Sequence, residues 1–141
     1  MASYETLLVE KRGPVEWLTL NRPDRLNTIT GTMVRELVGY FRSKQADMDT
    51  RVIVMRGAGR GFCAGLDIKA RQDGADTVEF VPGEPQLTDI VPLMRRAPQP
   101  IVALLHGPVN GGGFAMALAA DFRFAGESLK MNDAFARIGM S

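Results

Sequence analysis

The chain has 141 residues, 45% of them apolar, and a formal net charge of +1. That length suffices for one ordinary domain with a real core, and the near-neutral balance gives no sign of a general nucleic-acid or membrane-binding surface. One cysteine excludes an internal disulfide, which fits a reducing compartment.

The first residues, Met1-Ala2-Ser3-Tyr4-Glu5, lack the basic start and apolar stretch of a signal peptide. No apolar stretch is long enough to span a bilayer, so the default expectation is a cytoplasmic protein. Apolar runs at 7–9 and 15–20 flank Arg12-Gly13-Pro14 and predict a hairpin. Val15, Trp17 and Thr19 alternate with Glu16 and Leu18, as in a strand with one covered face. Asn21-Arg22-Pro23-Asp24-Arg25 has turn chemistry. Over 32–45 the period becomes helical. Met33, Leu37 and Phe41 share a face with Val34 and Val38 beside it, and Thr30 or Thr32 is the expected cap.

A buried strand is expected at 52–55, running into the glycine loop Gly59-Arg60-Gly61-Phe62-Cys63-Ala64-Gly65-Leu66-Asp67. Asp67 is placed to cap a helix over 68–72. The stretch 72–86, with Gly74, Pro82, Gly83 and Pro85, reads as an exposed, mobile loop. A short helix follows over 87–96, which Pro92 kinks or ends unless it lies in the first turn. The strand at 101–105 feeds a second glycine loop, His106-Gly107-Pro108-Val109-Asn110-Gly111-Gly112-Gly113-Phe114. A small-residue helix over 113–120 and a strand over 121–125 complete the readable pattern. The eight methionines read as flexible core fillers.

Strand, glycine turn and helix thus occur twice, which indicates an α/β architecture of similar units. Glycine lets a backbone come close to a ligand. Two such loops side by side can aim two N–H groups at one oxygen, an oxyanion hole needing no particular side chain. Gly57-Ala58-Gly59-Arg60-Gly61 fails the dinucleotide fingerprint at Phe62, and no Walker-type lysine follows the glycines. Cys63 and His106 are each unique, so a Cys–His nucleophilic pair is one reading; a packing cysteine and a polar loop histidine are the preferred one. One His, one Cys and no clustered acids argue against a metal site. Among the carboxylates Asp67, Asp121, Glu127 and Asp133, capping is the preferred role for Asp67, and Asp133 is the better acid or base candidate.

Gly61-Phe62-Cys63-Ala64-Gly65-Leu66-Asp67-Ile68 resembles the signature of the enoyl-CoA hydratase/isomerase (crotonase) superfamily. The resemblance extends to Leu20-Asn21-Arg22-Pro23 with Leu26-Asn27, to Pro100-Ile101-Val102-Ala103 leading into Gly107 and Gly111-Gly112-Gly113, and to Asp121-Phe122-Arg123-Phe124-Ala125. It implies an α/β, crotonase-like spiral of ββα units whose site takes acyl-CoA thioesters. It implies backbone oxyanion-hole donors at Leu66 and Gly112. Coenzyme A contacts are implied at Arg25, Leu26, Ala64, Gly65, Leu66, Asp67, Ile68, Gly111 and Gly112. No separate cofactor and no metal is implied, coenzyme A being part of the substrate, and the family's assemblies are homotrimers or hexamers.

Two departures stand out. The positions of the hydratases' two glutamates fall at Ala115 and near Phe135, neither of which can move a proton; Asp133 is the candidate substitute. The pattern also stops at Ile138-Gly139-Met140-Ser141, so residues 1–141 are expected to form an incomplete domain without the helices that close the acyl pocket and build the trimer. Three readings compete. The first is an acyl-CoA enzyme performing isomerisation, hydrolysis, decarboxylation or an atypical hydration. The second is a non-catalytic or truncated member that only binds coenzyme A or associates with a full-length relative. The third is a hydrolase using Cys63.

Overall fold

The computed structural model describes residues 3–133. Strands β1 (Leu7–Arg12) and β2 (Val15–Leu20) form the expected hairpin. β1 runs past its apolar half because backbone pairing carries Glu10, Lys11 and Arg12 along the sheet edge opposite Trp17, Glu16 and Val15. The covered face of β2 is the one bearing Glu16, Leu18 and Leu20. Trp17 lies on the opposite face, between the guanidinium groups of Arg12 and Arg56, 4.9 and 4.6 Å from its ring centroid.

Helix α1 (Gly31–Lys44) begins one residue before the predicted start. Thr30, not Thr32, is its cap: the Met33 N–H donates to Thr30 Oγ1 at 3.3 Å. Met33, Val34, Leu37, Val38 and Phe41 are all buried, as their helical spacing requires. Strand β3 (Val52–Gly57) pairs parallel to β2. α2 (Ile68–Asp73) follows the first glycine loop. Residues 74–86 hold no regular element and are largely exposed. A 3-10 turn (Leu87–Asp89) then runs into α3 (Ile90–Arg96). Pro92 is the third residue of α3, in the first turn, where its missing N–H costs no helical bond.

β4 (Ile101–Leu105) adds parallel to β3. The second glycine loop is not purely a loop: its centre is β5 (Pro108–Asn110). Helix α4 (Gly112–Ala119) follows, then β6 (Phe122–Ala125), parallel to β4, and β7 (Lys130–Asn132), parallel to β5. The large sheet has the order β1-β2-β3-β4-β6, and β5-β7 form a second, small sheet. Neither β5 nor β7 is foreshadowed by an apolar period, because three-residue strands carry too short a pattern. β6 is exposed along its whole length, with Phe122 and Phe124 open on the sheet edge.

A buried polar network crosses the core side of β2. Glu16, 5% exposed, accepts from Tyr40 Oη at 2.7 Å and pairs with Lys44 Nζ at 2.6 Å. Lys44 Nζ also reaches Asp47 at 2.8 Å, whose other oxygen accepts from the Asp49 and Thr50 N–H groups. Charges are tolerated inside a sheet–helix layer only when paired in this way. No described helix is long and apolar enough to cross a membrane.

Candidate functional site

The two glycine loops lie side by side, joined by three backbone hydrogen bonds. Phe62 N–H donates to His106 O at 2.9 Å, Cys63 N–H to Pro108 O at 3.3 Å, and Asn110 N–H to Cys63 O at 3.0 Å. Gly65 adopts φ +102°, a conformation disfavoured for any residue with a Cβ, and a Cβ there would stand 3.1 Å from Asn110 O. Gly113 packs against the backbone of Cys63 with no room for a methyl group.

Leu66 forms a single parallel bridge with Ile29. Ile29 N–H donates to Gly65 O at 2.7 Å, and Asp67 N–H donates to Ile29 O at 3.0 Å. Alternation along an extended chain turns the intervening Leu66 N–H to the opposite side. Gly112 opens α4 from a neighbour, Gly111, whose φ of 54° and ψ of −118° demand glycine. Among the described residues no side chain caps this helix, so the N–H groups of its first turn keep their donor capacity. Among the described residues neither the Leu66 nor the Gly112 N–H donates to a protein group. Ile29 links the two: its backbone holds residues 65 and 67, and its Cδ1 lies 2.7 Å from where a Gly112 Cβ would be.

Two cavities open beside these donors, both lined by Leu87 and Thr88. One, of about 350 Å³, is lined by Gly112, Ala115, Met116, Ile90, Val91 and Pro92. The other, of about 540 Å³, includes Leu66, Arg71, Thr77, Val78 and Phe80. Ala115, at the position of the first hydratase glutamate in the family pattern, therefore faces an apolar cavity that contains no described acid or base. Phe135, at the second, lies outside the described residues. Asp133 directly follows Asn132, whose carbonyl accepts the Gly111 N–H at 3.2 Å, but it does not line either cavity.

The turn at 22–28 packs on the first loop. Arg25 Nη2 and Arg22 Nη2 reach the two oxygens of Asp67 at 3.3 and 3.1 Å, and the Ala64 N–H donates to Leu26 O at 3.0 Å. Asp67 caps α2 as expected, accepting from the Ala70 N–H at 2.8 Å. Arg25, Leu26, Ala64, Gly65, Leu66, Asp67 and Ile68 are thus one contiguous patch, with Gly111 and Gly112 across Ile29 from it. Burial works to raise the carboxyl of Asp67, but the Ala70 N–H, Arg22 and Thr28 outweigh it and hold it below its usual value. Asn27, whose structural role the sequence alone does not announce, is fully buried in left-handed conformation. Its side chain donates at 2.9 Å to both Ala58 O and Gly61 O and accepts the Arg22 N–H at 2.7 Å. An Asn in a turn is the only available signal, since Asn tolerates positive φ.

Cys63 is fully buried, and burial pushes its thiol up to about 12. The His106 ring is hydrogen-bonded to Gly59 O at 2.7 Å and not to Cys63. The Cys–His pair is therefore not assembled. In the native protein, alkylation of Cys63 by iodoacetamide near pH 8 is expected to run at least about a hundredfold slower than in the urea-unfolded chain. Equal rates would show an accessible thiolate. Among the described residues no group of three His, Cys, Asp or Glu is placed to hold a metal ion.

The sequence profile described as enoyl-CoA hydratase/isomerase matches residues 10–141. A protein of Rhizobium meliloti described as a probable enoyl-CoA hydratase is 36% identical over 141 residues, covering 98% of this chain and 52% of its own. Pseudomonas aeruginosa AtuE superposes with a TM-score of 0.84 at 35% identity, covering 96% of this chain and 54% of its own. An enoyl-CoA hydratase/isomerase from Marinobacter aquaeolei gives 0.82 at 31%, covering 96% and 54%. The chain spans about half the length of the curated relatives it matches. The α/β, crotonase-like fold is the one observed. With nearly its whole length matched in sequence and in structure, the chain belongs to the enoyl-CoA hydratase/isomerase family.

Proposed function

We propose that this chain binds an acyl-CoA thioester and polarises its carbonyl between the backbone N–H groups of Leu66 and Gly112. The observation that carries the reading is the pair of N–H groups, unengaged among the described residues, on two loops locked together, with an apolar cavity beside Gly112. A thioester oxygen held by two fixed donors gains most as negative charge develops on it, in an enolate or a tetrahedral adduct. The acyl chain fills the cavity lined by Gly112, Ala115 and Met116, and the coenzyme A portion, the only non-protein group required, lies along Arg25, Leu26 and the backbone of residues 64–68, not against the Asp67 carboxylate. The start of α4 adds its positive end to the same oxygen.

Ala115 favours a binding or polarising role over ordinary hydration, because that position offers no proton carrier. Proton transfer then falls to a group outside the cavity, and Asp133 is the candidate carried forward. The second reading, a non-catalytic member that binds coenzyme A or associates with a full-length relative, draws on the same residue.

Calorimetric titration separates carbonyl recognition from simple apolar binding. Hexanoyl-CoA is expected to bind about tenfold or more tighter than its thioether analogue, hexyl-CoA, which lacks the oxygen. Equal affinities would remove the oxyanion hole from the proposal, and no binding by either would remove the site.

A further inference from the structure

The Leu66 donor is useful only if its peptide plane keeps one direction, and the loop that carries it is rich in glycine. What holds that direction lies on the other side of the chain. The backbone of Asp67 is fixed by its N–H to Ile29 O. Its carboxylate, 3% exposed as a side chain, makes four further contacts. Oδ1 accepts from the Ala70 N–H at 2.8 Å and from Arg25 Nη2 at 3.3 Å. Oδ2 accepts from Arg22 Nη2 at 3.1 Å and from Thr28 Oγ1 at 3.1 Å. Arg22 in turn donates to the carbonyl and hydroxyl of Thr28, one residue before Ile29. The residue after the donor is therefore tied to the turn at 22–28, which leads directly into Ile29, whose backbone holds both the donor's own Gly65–Leu66 peptide and the Leu66–Asp67 peptide after it. A helix cap alone needs only the Ala70 contact; the other three connect the loop to the turn at 22–28.

We infer that Asp67 is a positioning residue for the Leu66 N–H, holding it toward the thioester oxygen through Arg22 and Thr28 rather than by touching the ligand. The inference rests on the proposed thioester site. It gives a second role to a carboxylate that the coenzyme A patch would otherwise treat as a ligand contact. An acid so nearly enclosed by two guanidiniums, a hydroxyl and an N–H has little lone-pair capacity left for a ligand.

The stretching frequency of the thioester carbonyl reads the donor directly and needs no turnover. Hexanoyl-CoA labelled with a heavy isotope at the carbonyl carbon is bound to the full chain and followed by difference infrared spectroscopy. In the wild type the band moves to lower frequency than in solution. In Asp67→Asn that displacement is expected to shrink by about half or more, while affinity for coenzyme A alone changes less than about threefold. Thr28→Val, which removes only hydroxyl contacts, is the second variant should Asp67→Asn fail to fold, and a smaller loss in the same direction is expected. A wild-type band without displacement would overturn the thioester site itself. A displaced wild-type band that persists undiminished in either folded variant would overturn the positioning role alone. So would loss of coenzyme A affinity with the band unchanged, which would make Asp67 a ligand contact.

Discussion

Gly113→Ala is expected to destabilise the protein by about 1–3 kcal/mol and to abolish the proposed preference for thioester over thioether. A Cβ at this position would overlap the carbonyl oxygen of Cys63 and stand 2.7 Å from its Cβ. The obstacle is backbone, and that backbone is itself bonded to Pro108 and Asn110, so it cannot rotate away. Either α4 slides outward or the two loops part, and both movements displace the neighbouring Gly112 N–H. Gly112→Ala is the instructive contrast. Its new methyl meets Ile29 Cδ1 at 2.7 Å, the flexible end of a side chain, with Leu87 Cδ1 at 3.8 Å. A rotamer change relieves that clash, so a smaller loss is expected. Gly39, in the middle of α1 with nothing near its Cβ position, is the control: alanine there should stabilise by about 0.5–1 kcal/mol. Thermal unfolding and calorimetric titration of the three variants check the order. A Gly113→Ala protein as stable as the wild type would show that the loops are not in rigid contact.

The other large effect is expected far from the site. Lys44→Met should cost about 3–5 kcal/mol, because it leaves Glu16 buried beside Tyr40 without its counter-charge. Adding Glu16→Gln should recover part of that loss, since an unpaired charge is costlier than a neutral polar group of the same shape. The cost should also depend on pH. Burial tends to lower the Lys44 amine, but its bonds to Asp47 and Glu16 prevail and raise it. Lys44 first, then Thr50, hold the Asp47 carboxyl below its ordinary value of 3.8. A lowered carboxyl stabilises the folded state above its unfolded pKa, and a raised amine does so below its own, ordinarily 10.5. The contribution is therefore complete between those limits and fades as pH falls through the Asp47 value or climbs through that of Lys44. Urea unfolding of the wild type and both variants at neutral and acidic pH tests this. A double variant no more stable than Lys44→Met would mean that the buried carboxylate is not the source of the cost.

Much of this architecture is legible in the amino-acid sequence, and the legible parts have a common cause. The α1 stripe at Met33, Leu37 and Phe41, the parallel strands at Val52–Gly57 and Ile101–Leu105, and the Asp67 cap all express local rules. Side-chain period, β-branched runs and capping chemistry act within a few residues, so they can be read without knowing the fold. The glycine loops are legible for the same reason, and their order along the chain is what carries the family resemblance.

Other features depend on partners distant in sequence. Glu16 sits in an alternating strand where either face could be covered; only the arrival of Tyr40 and Lys44 from α1 makes its face the buried one. β5 and β7 exist because Gly107, Cys63 and Lys130 are brought together by the fold, not because Pro108–Asn110 has strand character of its own. The sequence by itself determined where the helices and the longer strands lie, which loops let backbones meet, and that no side chain at Ala115 can carry a proton. Only the tertiary structure decided that Ile29 stands between Leu66 and Gly112, that Asn27 and Asp67 clamp the two ends of the first loop, and that Cys63 is sealed away from His106. These are contacts between segments tens of residues apart, and their geometry is set by packing, which no local period encodes.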